Sequence, residues 1–126
     1  MKFVRFEHSN NVSYGIVEDE VVSVISNSPI GQDYNETGEK YNLSDVKILA
    51  PVPKPGKMLC LALNYGSHLL GADKPTRPEP FYKNNNAIIG PGDPIKLPED
   101  SGLVVCESEL IVIIGKKAQS VSEENA

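Results

Sequence analysis

The chain has 126 residues, 40% of them apolar and 23% charged, with a net charge of −5 and a pI of about 5.0. This is the composition of a soluble globular protein of one or two small domains, and the acidic balance argues against nucleic acid or an anionic membrane as partner. No apolar run approaches the roughly 20 residues needed to span a bilayer. The opening MKFVRFEHSNN lacks the apolar centre of a secretory signal, so the chain reads as cytoplasmic.

Residues 1–26 alternate and break like a β-meander. Lys2–Phe6 is expected to set two aromatic rings on one face and Val4 on the other. Asn10-Asn11 supplies a turn, and Val12–Val17 and Val21–Ile25 flank a second turn at Glu18-Asp19-Glu20. Residues 27–43 are polar and rich in Asn, Gly and Pro, which predicts a loop or at most a short helix. Ser44–Ala50 then leads into Pro51-Val52-Pro53-Lys54-Pro55-Gly56. That proline cluster marks a boundary between an N-terminal β-rich domain, residues 1–50, and a second domain, residues 51–126.

Lys57–Leu63 (KMLCLAL) is a short apolar run of the kind buried on both faces of a sheet. A loop follows, then a proline-rich stretch leading to Phe81-Tyr82-Lys83. Gly90-Pro91-Gly92-Asp93-Pro94 is a dense turn signal, and Ile95–Leu97 has the make-up of a short edge strand. Leu103–Ile114 (LVVCESELIVII) carries the strongest strand signal in the chain. Ser120 and Glu123 have the spacing of a capping box, so a helix is predicted to begin near Val121. It would reach only about two turns by Ala126, too short to stand alone, which makes the sequence read as the front part of a longer protein. Cys60 and Cys106 both sit in apolar runs and are expected to be buried thiols rather than zinc ligands or a disulfide.

Glu107-Ser108-Glu109 is the most informative feature. On a strand, Glu107 and Glu109 project from the same face about 7 Å apart, among Val105, Ile111 and Ile113. Two carboxylates there are costly to bury without a cation, and a hard ion such as Mg²⁺ is what carboxylates hold best. Alternatively, this end of the strand faces water and both glutamates are solvated. Asn64-Tyr65-Gly66-Ser67-His68 follows an apolar strand end, where polar groups are presented to ligands. His68 is either a general acid–base or a surface histidine, and His8 reads as a surface residue beside a turn. Lys83 either binds a carboxylate or carbonyl oxygen or is a solvated lysine. Gly90-Pro91-Gly92 lacks the Lys-Ser/Thr of a phosphate loop and carries no nucleotide site.

In order and spacing, Cys60–Tyr65 with His68, Pro80–Lys83, Gly90–Ile95, Glu107–Leu110 and Ile113–Lys116 together resemble the fumarylacetoacetate hydrolase family. The resemblance covers about residues 50–126; the first fifty match the family's variable N-terminal β-domain only in kind. It implies a mostly β (α+β) fold, a rolled mixed sheet preceded by a small β-domain and incomplete in this chain. It also implies an ion, Mg²⁺ or else Mn²⁺ or Ca²⁺, held by Glu107, Glu109 and a third carboxylate. His68 would be catalytic, and Tyr65 and Lys83 would bind substrate. The activity so implied is metal-dependent hydrolysis or lysis of a C–C bond in a small 1,3-dicarbonyl or 2-oxo acid of the acylpyruvate type, decarboxylation or isomerisation being sister reactions. The family habit of dimerising implies a homodimer.

The sequence departs from the family pattern twice. Family hydrolases commonly pair the motif histidine with a glutamate at the position Gly71 occupies here, and the nearest acids along the chain are Asp73 and Glu79. The aspartate that supplies the third metal ligand lies beyond Ala126 in the family pattern, so this chain alone is expected to be inactive. The alternative is a non-catalytic β-rich subunit or binding module that pairs with a partner.

Overall fold

The hairpin of β1 (Lys2–His8) and β2 (Asn11–Glu18) turns on Ser9 and Asn10, both at positive φ (49° and 66°). That is the backbone a two-residue turn needs to match the twist of its strands, and asparagine tolerates it well. The computed structural model describes all 126 residues. The pairing runs from Lys2↔Val17 to His8↔Asn11, so the turn lies one residue earlier than Asn10-Asn11. A second two-residue turn, Asp19-Glu20, leads to β3 (Val21–Ile25), antiparallel to β2. All three strands were legible from their alternation.

Phe3 and Phe6 do not share a face, contrary to expectation. Three residues apart on a strand, they have opposite parity: Phe6 is buried with Val4 beside it, and Phe3 is exposed against Tyr34.

The polar stretch after β3 is not a loop throughout. Glu36–Asn42 forms β4, antiparallel to β3, with a register shift between Ser23 and Ile25. Every residue of β4 except the half-buried Tyr41 is exposed, as suits an edge strand whose backbone pairing is its main contribution. A single 3₁₀ turn (Leu43–Asp45) leads to β5 (Lys47–Leu49), and the sheet order is β4-β3-β2-β1-β5. Phe6, Val22 and Val24 form its core, with Val4, Val17, Tyr41, Leu43, Val46 and Ile48 packed against them. Gly15 of β2 faces this core: a Cβ there would lie 2.5 Å from Val22 Cγ1 and 3.2 Å from Phe6 Cε1.

By spatial contact the chain forms two units, Met1–Ile48 with Pro94–Ala126, and Leu49–Asp93. In the second unit, β6 (Leu59–Ala62) pairs antiparallel with β7 (Glu79–Tyr82), from Leu59↔Tyr82 to Ala62↔Glu79. β6 is not buried on both faces. Its residues alternate exposed and half-buried, because the sheet has only two strands and only one side of it is covered. Pro80 is tolerated because both strands are edges.

Leu103–Ile114 forms no strand, and neither does Ile95–Leu97; both stretches are exposed. β-propensity describes fit to a sheet already present, and neither stretch is part of a sheet here. Cys106 is accordingly exposed rather than buried, Cys60 is half-buried, and both thiols are free. In place of a helix from Val121 there is one 3₁₀ turn, Glu123–Asn125, whose N-cap Ser122 makes no side-chain capping bond. A few residues do not recover the cost of nucleating a helix. No helix is long and apolar enough to cross a membrane.

Candidate active site

Three of the five proposed site residues lie in the unit Leu49–Asp93. After β6 the chain turns through Leu63, at positive φ, into the 3₁₀ turn Gly66–His68. His68 closes that turn by donating its backbone N–H to the Tyr65 carbonyl at 2.9 Å. The phenol and imidazole rings stand 6.0 Å apart at 55°. His68 is half-buried and Tyr65 is 36% exposed, so both rings remain reachable by a small molecule.

Leu70 and Gly71 follow at positive φ (49° and 90°). A Cβ at residue 71 would meet nothing within 4 Å, so backbone conformation rather than crowding selects glycine there. A glutamate would be strained at that φ.

Lys83 sits just past the end of β7. Its N–H donates to the Met58 carbonyl at 3.1 Å, extending the β6–β7 ladder by one step. Its Nζ lies 5.5 Å from the centre of the Phe81 ring, two residues back along the same strand face. That cation–π contact orients the ammonium group, and its signal, an aromatic two residues before a lysine on a strand, is visible in the sequence as Phe81-Tyr82-Lys83. Lys57, Met58, Tyr82, Lys83, Asn84 and Asn85 border an open hollow of about 280 Å³ beside the same hairpin.

Glu107 and Glu109 lie in the other unit, on the exposed stretch without strand structure. The desolvation cost that would favour a cation on a buried strand therefore does not arise on this exposed stretch. No group of three or more His, Cys, Asp or Glu residues is placed to hold a metal ion. In kind, two carboxylates suit a hard ion that completes its shell with water or other oxygen donors; in number they are few.

The sequence places the chain among known proteins. Residues 57–126 match the model of the fumarylacetoacetate (FAA) hydrolase C-terminal family, and residues 1–51 match the Rv2993c-like N-terminal model. The chain belongs to the fumarylacetoacetate hydrolase family. It is 42% identical over 85 residues to the mitochondrial oxaloacetate tautomerase fahd2 of Xenopus laevis, covering 66% of this chain and 27% of that one. It is 32% identical over 135 residues to protein Rv2993c of Mycobacterium tuberculosis, covering the whole chain and 50% of its relative. Among solved structures, the 5-carboxymethyl-2-hydroxymuconate delta-isomerase of Mycobacterium smegmatis superposes with a TM-score of 0.67 at 34% identity, covering 79% of this chain and 39% of that one. The 2-hydroxyhepta-2,4-diene-1,7-dioate isomerase of Mycobacterium marinum gives a TM-score of 0.66 at 31% identity, with 79% and 38% covered. The chain thus spans half or less of the length of these relatives, and the fold class is theirs, mostly β.

Proposed function

We propose that this chain carries the front part of an enzyme that works through the enolate of a small 2-oxo or 1,3-dicarbonyl acid, shifting a proton or a double bond rather than adding water. Gly71 is the observation that carries this reading. Family hydrolases commonly place at that position a glutamate that pairs with the motif histidine; here the residue has no side chain and its backbone stands at φ +90°. The dyad suited to activating water is therefore absent at residue 71, whereas proton transfer at carbon needs only a positioned acid–base group. The names of the relatives, a tautomerase and two isomerases, support the same choice.

In this proposal His68 moves the proton at the carbon between the two oxygen-bearing carbons. Lys83, held by Phe81, binds a substrate carboxylate, and Tyr65 lines the site beside the imidazole. Glu107 and Glu109 would hold a divalent ion, Mg²⁺ by ligand type, together with donors this chain does not supply. Bound there, the ion would contribute positive charge toward the enolate oxygens. The domain boundary is placed at the proline-rich residues 51–56, and the active form is a homodimer. Two free thiols suit a reducing compartment, the cytoplasm or, as the name of the frog relative states for that protein, the mitochondrion.

The second reading, metal-dependent hydrolysis of a C–C bond in an acylpyruvate-type acid, is favoured by the family model matched over residues 57–126. It needs the same enolate and also an activated water. The two are separated by assaying the chain, continued past residue 126, for enolisation of oxaloacetate and for hydrolysis of acetylpyruvate. Enolisation that His68→Ala abolishes, without hydrolysis, supports the proposal. Dominant hydrolysis overturns it in favour of the second reading.

A further inference from the structure

The open end of the β6–β7 hairpin gathers positive charge. Acidic residues outnumber basic ones 17 to 12 in the whole chain. Yet the hollow of about 280 Å³ beside Lys57, Tyr82, Lys83, Asn84 and Asn85 has two lysines and no carboxylate on its wall. The two carboxamides and the phenol add neutral hydrogen-bond donors. The register shows how the two lysines come to share one hollow. Leu59 pairs with Tyr82, and the bond from the Lys83 N–H to the Met58 carbonyl adds one step. The same register sets Lys57 level with Asn84. Alternation then sends Lys57 and Lys83 to opposite faces of the hairpin, and both border the hollow because the ladder stops there.

We infer that Lys57 is a second cation for the carboxylate assigned to Lys83, and so a residue that sets specificity for acidic substrates. The size of the hollow decides what enters. At about 280 Å³ it falls just below the range of about 300–1,000 Å³ typical of whole-ligand sites, so it suits one end of a ligand. Two ammonium groups match the two oxygens of a carboxylate, and the Asn84 and Asn85 amides supply donors for its remaining lone pairs. The hollow opens at the end of β6 away from the Gly66–His68 turn, about 10 Å along the strand. The carboxylate held there is therefore the one farther from the carbon on which His68 acts. The inference rests on the enolate proposal for the identity of the ligand, but the anion binding itself does not.

Titration of glutarate, a dicarboxylate with no reactive carbonyl, into the isotope-labelled 126-residue chain tests it by NMR at constant ionic strength. The side-chain amide signals of Asn84 and Asn85 should shift saturably, with a dissociation constant of about 1–10 mM, as suits exposed charges. Lys57→Ala should weaken binding about threefold or more, Lys57→Arg should keep it, and neutral dimethyl glutarate should give no such shifts. In the chain continued past residue 126, deuterium exchange beside the oxo group reads enolisation. There Lys57→Ala should raise KM for 2-oxoglutarate about threefold or more. It should leave KM for the monocarboxylic 2-oxobutanoate as it is, a difference that mere loss of fold does not produce. The inference is overturned if glutarate shifts neither amide, or if Lys57→Ala binds glutarate as the wild type does. It is equally overturned if inorganic phosphate binds more tightly than glutarate, or if both oxo acids suffer alike. Absence of exchange in the wild type would count against the enolate proposal instead, and the titration would still decide the role of Lys57.

Discussion

Tyr41 of β4 stacks on His8 of β1, with ring centroids 4.1 Å apart and 30° between the planes, although two strands separate them in the sheet. In a flat sheet three strand spacings would hold those backbones about 14 Å apart. The rings meet because the sheet coils, closing over Phe6, whose ring lies edge-on to Tyr41 at 6.1 Å. His8 is consequently half-buried rather than the surface residue its neighbours in sequence suggest.

Replacing Tyr41 with alanine should therefore destabilise the N-terminal sheet by about 2 kcal/mol, from the lost aromatic pairs and packing. Urea denaturation followed by circular dichroism measures this. Tyr41→Phe should cost far less, since the phenol hydroxyl reaches only the exposed Glu39 carboxylate at 3.5 Å.

Gly15→Ala should also destabilise this sheet, by about 1–3 kcal/mol. The added methyl would lie 2.9 Å from the Ser23 carbonyl oxygen as well as against Val22 and Phe6, so backbone must move and not only a flexible side chain. Thermal unfolding compared with Gly38→Ala separates crowding from backbone strain, since residue 38 has open space but a φ of +91°.

Binding of Mg²⁺ or Mn²⁺, measured by titration calorimetry, should be weak in the 126-residue chain, where two carboxylates are the only assigned ligands. It should be much tighter in the chain continued past residue 126, and lost there in the Glu107→Gln, Glu109→Gln double variant. Equal binding by wild type and variant would remove Glu107 and Glu109 from the metal site.

Gly71→Glu is expected to cost about 1–2 kcal/mol from the left-handed backbone, and to confer some acylpyruvate hydrolysis on the chain continued past residue 126, because it restores a carboxylate where the water-activating dyad lacks one. Gain of hydrolysis would show that the missing carboxylate alone separates the two chemistries. A coupled hydrolysis assay beside thermal unfolding reads both effects.

The N-terminal meander was legible because each strand alternates and each turn is short. β4 was not, because an exposed edge strand needs no apolar residues: Glu36–Asn42 pairs through its backbone and buries only part of Tyr41. Leu103–Ile114 failed in the opposite direction. Its pattern states what the stretch would do beside a neighbour, and hydrophobicity cannot reveal whether that neighbour is in the same chain. The proposed site, Tyr65, His68, Lys83 and the Glu107–Glu109 pair, rests on residue types and their order along the chain. The positive φ at Gly71 is a backbone fact that residue type alone does not give, whereas the Phe81 seat for Lys83 follows from strand parity in Phe81-Tyr82-Lys83.

One further contact sets a condition on the C-terminal stretch. Gly31, at φ +69° in the loop after β3, lies so near Gly115 that a Cβ on it would stand 2.6 Å from the Gly115 carbonyl oxygen. A single added carbon atom in one loop would therefore dislodge a backbone more than eighty positions downstream. Variants at residues 31 and 115 should accordingly be non-additive in their effects on stability.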